Sequence, residues 1–254
     1  MRLVVLIKQV VDITNPFNLS INRQEIVDQT KMLNPWDEFA IEAALQQKDL
    51  TGAEVIALTA GPVEAEEALR PALAMGCDRV IRVDCEVHSL DSLQIAHVLA
   101  AAIQEIGAVD LLFFGKQSSD FENALIPALT AQILKWPYFS LVSTIKELDV
   151  QQIIVERHAE GMESTESASL PAAVSINKNF GEPRFPSFMG TRKAAKAIIS
   201  TLSLNDLNIN LQPTKFPPEF EMLPPRKLQF EMITGESAQE KVSNIIQKIR
   251  AEGK

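Results

Sequence analysis

The sequence predicts an α/β fold: a parallel sheet covered by helices on both faces, an antiparallel extension and a C-terminal arm. In the first half of the chain, short and almost wholly apolar runs alternate with helical segments, the pattern of strands buried on both faces. After Trp136-Pro137, strand-like segments follow one another without helices between them. Beyond residue 200 the periodicity fades and prolines accumulate, which indicates an extended segment. We therefore expect one domain over residues 1–199 and an arm over 200–254 that contacts a partner.

Four apolar runs are the predicted parallel strands, at residues 2–7, 54–59, 79–84 and 110–114. Two helices between them have an apolar stripe of helical period. The stripe residues are Ala40, Ile41, Ala44 and Leu45 in the helix over 35–48, and Ile95, Leu99, Ala102, Ile103 and Ile106 in the helix over 91–106. The first helix has a clear start, because Asn34 is a good N-cap and Pro35 suits the first position. Asp37 sits where a carboxylate can reach back to the cap.

The other elements are less regular. Residues 9–31 form a long insertion, in which 18–27 predicts a small hairpin around Asn22-Arg23. Segments 139–147, 151–158 and 166–176 predict antiparallel strands that extend one edge of the sheet, and a short helix is expected near 188–199. A last helix over about 236–251 carries Val242, Ile245, Ile246 and Ile249 on one face. That face suits docking onto another chain, although it would equally suit packing on its own domain.

Composition excludes several classes of protein. The net charge of -9 argues against a nucleic-acid-binding domain. The only cysteines, Cys77 and Cys85, are expected to be buried and reduced, which favours the cytoplasm. No apolar run approaches the roughly 18 residues of a membrane span, so we expect no direct membrane insertion. The three histidines have no neighbours at metal-ligand spacing, so we expect no metal site.

Motifs of self-sufficient enzymes are also missing. The chain contains no Gly-x-Gly-x-x-Gly, no Gly-x-x-x-x-Gly-Lys-[Ser/Thr] and no Gly-x-Ser-x-Gly. An ATP-hydrolysing or adenylating enzyme of this fold would need a glycine-rich loop after the first strand, where this chain has Lys8-Gln9-Val10-Val11-Asp12. We therefore expect no catalytic residues.

Four segments are predicted to meet at the carboxyl edge of the sheet, where ligands of open parallel sheets bind. They are residues 6–8, 34–37, 59–62 and 115–123. The last leads into a helix near 122–134, whose N-terminus is suited to hold an anion through free backbone N–H groups. Ordinary turns would give the same pattern.

A basic cluster interrupts this acidic chain. Lys178, Arg184, Arg192, Lys193 and Lys196 lie within nineteen residues, with Glu182 as the only acid. The cluster is either a solvated helix face or a surface that steers an acidic partner. Phe185 and Phe188 beside it would supply an apolar anchor.

Five motifs, in order and at family spacing over roughly residues 1–200, resemble the beta subunit of the electron transfer flavoproteins. They are Val5-x-x-Lys8-Gln9-Val10, Leu33-Asn34-Pro35-Trp36-Asp37-Glu38-Phe39-Ala40-Ile41-Glu42-Ala43-Ala44, Ala72-Leu73-Ala74-Met75-Gly76-Cys77-Asp78-Arg79, Phe114-Gly115-Lys116-Gln117 and Glu182-Pro183-Arg184-Phe185. The resemblance implies an adenine-nucleotide-hydrolase-like, Rossmann-like fold. It also implies a heterodimer with an alpha subunit that holds the redox-active FAD. In this family the beta subunit holds AMP, or a second FAD in members that bifurcate electrons. The pair carries electrons from flavin dehydrogenases to a quinone oxidoreductase or another acceptor.

Residue by residue, the resemblance implies three groups of site residues. The nucleotide group is Leu6, Asn34, Pro35, Trp36, Asp37, Ala60, Gln117, Asp120, Glu122, Asn123, Ala124, Leu125, Ile126 and Thr130. Ile13 matches a position near the partner's flavin. The partner-docking group is Glu182, Pro183, Arg184, Phe185, Phe188, Arg192, Lys193 and Lys196, within a recognition loop at about 178–196.

Some of these roles have ordinary alternatives. Trp36 is either a wall against adenine or flavin, or a half-buried packing residue. Asp37 and Asp120 are candidates for the ribose hydroxyls, although N-capping would explain an aspartate equally well.

One departure affects the phosphate loop. Where the family has Gln or Ser, then Thr or Val, then Gly, this chain has Leu125-Ile126-Pro127. Two possible side-chain donors are lost, and Pro127 has no N–H. Three outcomes remain open: AMP held by the backbone, a second FAD with the loop shifted by one residue, or a nucleotide-free interaction subunit. We expect an electron carrier subunit rather than an enzyme, an expectation that stays open for the bifurcating type, whereas the nucleotide-free subunit would be a scaffold of another class.

Overall fold

Nine of the strands form one mixed sheet, in the order β11-β10-β9-β12-β8-β1-β6-β7-β13. The strands are β1 Arg2–Leu6, β2 Gln9–Val11, β3 Asn18–Leu19, β4 Ile26–Val27, β5 Lys31–Leu33, β6 Glu54–Gly61, β7 Arg79–Asp84, β8 Leu111–Gly115, β9 Tyr138–Leu148, β10 Gln152–Ala159, β11 Met162–Ser169, β12 Ala172–Ile176 and β13 Ser200–Ser203. The helices are α1 Pro35–Thr51, α2 Glu66–Met75, α3 Ser92–Ile106, α4 Ile126–Leu134, α5 Phe188–Ala194 and α6 Ala238–Ala251.

The structure is a computed structural model that describes residues 1–15, 18–20, 26–27, 29–159, 161–209, 211, 221, 224 and 230–251. The chain divides into two units, Met1–Phe220 and Glu221–Lys254. The first unit contains the whole sheet, and the second contains α6.

Strands β1, β6, β7 and β8 pair parallel to one another, as the four apolar runs predicted. Strands β12 and β13, which the sequence did not predict as parallel strands, pair parallel with β8 and β7. Every residue of β8 and β12 is buried, which is expected of strands covered on both faces. Side chains alternate between the two faces along β1. Leu3 and Val5 pack with α1 and α2, whereas Val4 and Leu6 pack with α3 and α4. The predicted α/β architecture, with two helical layers around one sheet, is therefore confirmed.

The predicted helical stripes are the core faces of α1 and α3. Ala40, Ile41, Ala44 and Leu45 are buried. On α3, Leu99 and Ile103 are buried, and each contributes about 1.5–3 kcal/mol by leaving water. Asp91 caps α3 in a capping box with Gln94, with bonds of 2.9 and 3.0 Å.

The antiparallel extension differs from the prediction in its last segment. Strands β9, β10 and β11 are antiparallel, but residues 166–176 are not one strand. The polar end of this segment belongs to the exposed strand β11. Its apolar end is β12, which lies parallel to both β8 and β9 inside the sheet. The apolar run Ala172–Ile176 needs burial on both faces, and only the interior of the sheet provides it.

The predicted hairpin in the insertion is confirmed at its two ends, since β3 pairs antiparallel with β4. Its turn at Asn22-Arg23 lies outside the described residues. Strand β2 pairs antiparallel with β5, which brings the end of the insertion back to the start of α1.

The sheet continues past residue 200, where the sequence predicted the start of the C-terminal arm. Residues Ser200–Ser203 form β13, an edge strand paired with β7, because the chain is still within the sheet at this point. Helix α5 covers only Phe188–Ala194 of the predicted 188–199. Most of residues 210–229 lie outside the described residues. Helix α6 forms close to its predicted position, and its four stripe residues are exposed.

No helix in the described part of the chain has the length and apolarity needed to cross a membrane.

Candidate functional site

The candidate site lies at the carboxyl edge of the sheet, where the ends of β1 and β8 meet the start of α1. The backbone N–H of Lys8 donates to Asp37 Oδ2 at 2.7 Å, and the N–H of Asn34 donates to the Lys8 carbonyl at 2.9 Å. The N–H of Ile7 donates to the Leu58 carbonyl at 2.9 Å, so β6 also borders this edge. Segments that the sequence separates by many residues therefore converge as predicted.

Asn34 connects the start of α1 to the loop after β8. Its Nδ2 donates to the Gln117 carbonyl at 2.8 Å, and its Oδ1 accepts from the Ser119 N–H at 3.2 Å. Asn34 is the N-cap residue of α1, as predicted, but its side chain forms no cap bond. The amide is committed to the loop instead, and buried amides are satisfied by whichever partners burial provides.

Asp37 is buried between the two strand ends. Desolvation raises its pKa to about 7, although bonds from the Lys8 backbone, the Asn34 side chain and the Gly115 backbone oppose that rise. A Cβ on Gly115 would lie 2.3 Å from Asp37 Oδ1 and 2.7 Å from the Trp36 carbonyl carbon. Glycine at 115 thus allows the end of β8 to approach α1 closely. The Asp37 carboxyl therefore accepts a hydrogen bond from the Lys8 backbone, and this contact, rather than one with the N-cap residue, accounts for an aspartate at this position.

Two lysines lie over aromatic rings at this edge. Lys8 Nζ forms an ion pair with Asp120 at 2.7 Å and lies 4.7 Å from the centroid of Phe121. Lys116 Nζ lies 5.2 Å from the centroid of Trp36, within the range of a cation–π interaction. Both lysines and Phe121 lie in segments predicted to meet at this edge, but none of the three was named as a site residue. Lys8 was detectable, because it is a charged residue directly after a buried strand at the edge where ligands bind.

The loop after β8 forms a candidate anion cradle, which we define as the backbone of residues 122–126. Glu122 and Ala124 have left-handed φ values of 54° and 51°, as in backbone nests that turn successive N–H groups to one side. In the described residues, the N–H groups of Asn123, Ala124 and Ile126 form no hydrogen bond. The N-terminus of α4 has no side-chain cap. Free donors at a helix N-terminus suit a phosphate.

The cradle fits a phosphate through its backbone and not through its side chains. Leu125 is exposed and apolar, and Pro127 occupies the first turn of α4. Asp120 and Glu122 are acidic, and Asp120 is already paired with Lys8. Deeper in α4, Thr130 is fully buried, and among the described residues its Oγ1 has no hydrogen-bond partner. This hydroxyl has no accessible surface, so it does not itself show a ligand contact.

The remaining predicted nucleotide residues lie along the same edge without joining the bonded network. Leu6 is the buried last residue of β1, and Ala60 is half-buried near the end of β6. Ile13, which was predicted to lie near the partner's flavin rather than at the nucleotide, follows β2 and has an exposed side chain. Pro35 is the first residue of α1.

The docking segment, defined as residues 181–196, lies elsewhere in the first unit and presents bare aromatics. Phe185 is 95% exposed and Phe188 is 82% exposed. Arg192, Lys193 and Lys196 are exposed beside them, as expected of a surface that meets a partner. Arg184 differs from this expectation, because its guanidinium is bound to Glu42 and Asp49 of α1. It is an internal anchor rather than a free docking charge.

Fold and site together define a class: an α/β protein with a mostly parallel sheet, a candidate anion cradle at the sheet edge and a cationic, aromatic segment that is a candidate for docking. A family model described as the electron transfer flavoprotein domain matches residues 25–207. The chain belongs to the electron transfer flavoprotein beta subunit family, which makes it a flavoprotein of electron transport.

The similarity to individual relatives covers most or all of the chain. The chain is 36% identical over 218 residues to the electron transfer flavoprotein subunit beta of Sus scrofa, covering 83% of this chain and 84% of that one. It is 30% identical over 258 residues to the same subunit of Bacillus subtilis, covering 100% and 99%. It is 33% identical over 261 residues to the caffeyl-CoA reductase-Etf complex subunit CarD of Acetobacterium woodii, covering 98% of each chain.

Proposed function

We propose that this chain is the beta subunit of a heterodimeric electron transfer flavoprotein, which passes electrons from flavin dehydrogenases to a quinone oxidoreductase or another acceptor. The alpha subunit would hold the FAD, and that flavin supplies the redox chemistry when it is bound. The observation that carries the proposal is the docking segment, where two phenylalanines are exposed next to three exposed cations in a chain of net charge -9. A basic surface around an apolar anchor, in a chain that is acidic overall, suits an acidic protein partner.

The chain's own residues would position ligands and exclude water rather than react. The face along the carboxyl edge carries further exposed apolar side chains, among them Ile13, Val63 and Phe121. Exposed apolar groups of this kind favour a permanent partner. Covered by the alpha subunit, Ile13 would lie near its flavin and shield it from solvent.

For the nucleotide of this chain we propose AMP, held by the backbone cradle at 122–126 and by Asn34, Asp37 and Gln117 nearby. The three unpaired N–H groups and the uncapped start of α4 support this choice. Each charged hydrogen bond to such a phosphate contributes about 1.5–3 kcal/mol, so three backbone donors suffice for a stable site.

A second candidate function is electron bifurcation, with a second FAD in place of AMP. The similarity to CarD, whose name assigns it to an Etf complex of a caffeyl-CoA reductase, favours this alternative. A nucleotide-free interaction subunit is the third candidate, and the apolar Leu125 and Ile126 side chains favour it.

Co-expression with the neighbouring large-subunit gene, followed by extraction and identification of the cofactors, tests all three. We expect a stable heterodimer with one FAD and one AMP. Two flavins per heterodimer would establish the bifurcating type, and one flavin without a nucleotide the third candidate. A chain that remains a monomer beside its large subunit would contradict the proposed function.

A further inference from the structure

The docking segment presents aromatic side chains that have little packing of their own. Phe185 and Phe188 are almost fully exposed, and residues 181–187 contain no helix or strand. A segment of this kind would ordinarily sample many conformations, each costing ordering entropy on binding. The contacts that hold it in one conformation therefore matter for its function.

Arg184 supplies the strongest of these contacts. Its backbone N–H donates to Glu42 Oε2 at 3.0 Å, its Nε donates to the same oxygen at 2.8 Å, and its Nη2 donates to Glu42 Oε1 at 3.2 Å. A second bond runs from Nη2 to Asp49 at 2.9 Å. One edge of the planar guanidinium, formed by Nε and Nη2, thus binds both oxygens of the Glu42 carboxylate, and the backbone N–H of the same residue binds it as well.

Burial makes Glu42 the decisive partner. Its side chain is 6% exposed, whereas that of Asp49 is 61% exposed. Burial raises the pKa of Glu42, but the bonds from Arg184 and Gln46 outweigh it and leave the pKa below its ordinary value, so the carboxyl is charged. An exposed ion pair such as Arg184–Asp49 contributes little, while loss of a buried partner leaves its counterpart unsatisfied.

Helix α2 holds the other end of the segment. A Cβ on Gly190 would lie 2.4 Å from the Ala74 carbonyl oxygen, so α5 packs directly on the backbone of α2. Arg70 Nη1 donates to the Ala194 carbonyl at 2.8 Å, at the C-terminus of α5. A cation at that terminus also favours the helix dipole. Both ends of the segment that carries Phe185 and Phe188 are therefore fixed.

We propose that Arg184 and Glu42 form a positioning latch, which holds Phe185 and Phe188 in the orientation that a reduced flavin dehydrogenase recognises. The identity of the protein that recognises these phenylalanines, a flavin dehydrogenase, rests on the proposed function. The latch assigns Arg184 a role inside the chain: the guanidinium places the aromatic contacts, and Arg192, Lys193 and Lys196 provide the steering charge.

The first test is hydrogen exchange of peptides covering residues 181–187 in the intact heterodimer. Glu42→Gln should raise their exchange rate about tenfold, because the fork loses its charged acceptor. Glu105→Gln, on the exposed face of α3, removes a carboxylate without touching the latch and should leave the rate unchanged. Unchanged exchange in Glu42→Gln would overturn the latch, as would an equal effect of Asp49→Asn. Should Glu42→Gln fail to assemble, Arg184→Lys carries the same test, since lysine keeps the charge and loses the fork.

The second test is a double-mutant cycle with Phe188→Ala, measured on reduction of the heterodimer by a purified flavin dehydrogenase that reduces the wild type. Glu42→Gln should lower kcat/KM about tenfold and leave kcat unchanged, because it disturbs docking only. In the Phe188→Ala background, Glu42→Gln should lower kcat/KM little further, since the effects of two substitutions that act through the same contact do not add. Additive losses, or a loss in kcat alone, would overturn the latch. If no flavin dehydrogenase reduces the wild type, the proposed function fails, while the exchange test still decides whether the latch exists.

Discussion

At the scale of single residues, Gly115 and Asp37 determine how closely the end of β8 approaches the start of α1. The glycine leaves room for the carboxylate, and the carboxylate receives N–H groups from both adjoining strands. The candidate site depends on this contact, since Asn34 and Trp36 flank Asp37 on the same helix start. Two predictions follow from the geometry of this pair.

Gly115→Ala should destabilise the chain by about 3 kcal/mol or more, because the new methyl would overlap Asp37 Oδ1 and the backbone of Trp36. Urea denaturation of the heterodimer measures the effect. Gly161→Ala is the matched control: it adds the same methyl at a left-handed residue with nothing within 4 Å, and should cost only about 1 kcal/mol of backbone strain. Equal losses in the two variants would contradict the close approach at Gly115.

Asp37→Asn should change how stability depends on pH. The folded pKa of about 7 lies above the ordinary value of 3.8, so the folded chain binds this proton more tightly than the unfolded chain. Asp37 therefore makes stability fall as pH rises between these values, by at most about 1.4 kcal/mol per pH unit, and has no further effect above them. Because asparagine does not titrate, Asp37→Asn should remove this fall of stability with pH. Denaturation midpoints at pH 5 and pH 8 measure it, and an unchanged slope would show that Asp37 titrates normally.

At the scale of elements, two short helices present their N-terminal regions differently. Helix α4 begins at an open backbone cradle, whereas α5 begins with a capped turn, in which Ser187 Oγ accepts from the Gly190 N–H at 2.9 Å. An uncapped helix start leaves its N–H donors for a ligand, and a cap such as Ser187 occupies one of them. Helix α4 is thus suited to hold an anion, and α5 is suited to display side chains.

Leu125→Gln combined with Ile126→Thr should strengthen nucleotide binding. The new side chains restore donors next to the cradle, and each added bond to a charged phosphate should improve the affinity about tenfold. Isothermal titration of nucleotide-stripped heterodimer with AMP measures this. Ala128→Ser, also in the first turn of α4, is the control for added polarity alone. Weaker binding in the double variant would mean that a ligand uses the apolar side chains instead.

Phe188→Ala should slow reduction of the heterodimer by a flavin dehydrogenase without lowering its melting temperature. An exposed aromatic contributes little to folding, while removal of an interfacial anchor costs about 2 kcal/mol or more of binding, roughly thirtyfold in affinity. Leu50→Ala, an exposed apolar residue near the end of α1, is the control. Unchanged electron-transfer kinetics would remove Phe188 from the docking surface.

At the scale of the whole molecule, the apolar stripe of α6 belongs to a unit that presents it to solvent. Val242, Ile245, Ile246 and Ile249 are each 41–54% exposed. The helix itself is ordered by local bonds, including Asn244 Nδ2 to the Thr234 carbonyl at 3.0 Å and an ion pair of Lys248 with Glu231. A stripe of this kind suits a groove on another chain.

Ile246→Glu should reduce co-purification of this chain with its alpha subunit, because a buried, unpaired carboxylate is costly at an apolar interface. Size-exclusion chromatography of the co-expressed pair measures the fraction assembled. Gln247→Glu adds the same charge at the neighbouring position and should assemble normally. Full assembly of the Ile246 variant would leave α6 outside the heterodimer contact.

Local sequence features predicted local structure well and long-range pairing poorly. The apolar runs located β1, β7 and β8, and the stripe on α3 located its buried face, since each depends on neighbouring residues only. Strand β12 was misplaced, because a five-residue, mostly apolar segment does not reveal which strands lie on either side of it. The bonds of Asn34 to residues 117 and 119, and of Arg184 to Glu42, join positions 83 to 142 residues apart. No local pattern encodes them.

The position of β12 determines when the sheet can be completed. Strands β8 and β9 are neighbours in sequence, but β12 separates them in the sheet and follows the whole β10–β11 hairpin. On the ribosome, β1, β6, β7 and β8 can pair as they emerge, whereas the gap beside β8 stays open until residue 176 has left the exit tunnel. A nascent chain paused before that point would expose an unpaired, fully apolar edge of β8, the kind of surface that chaperones recognise and that aggregates when left uncovered.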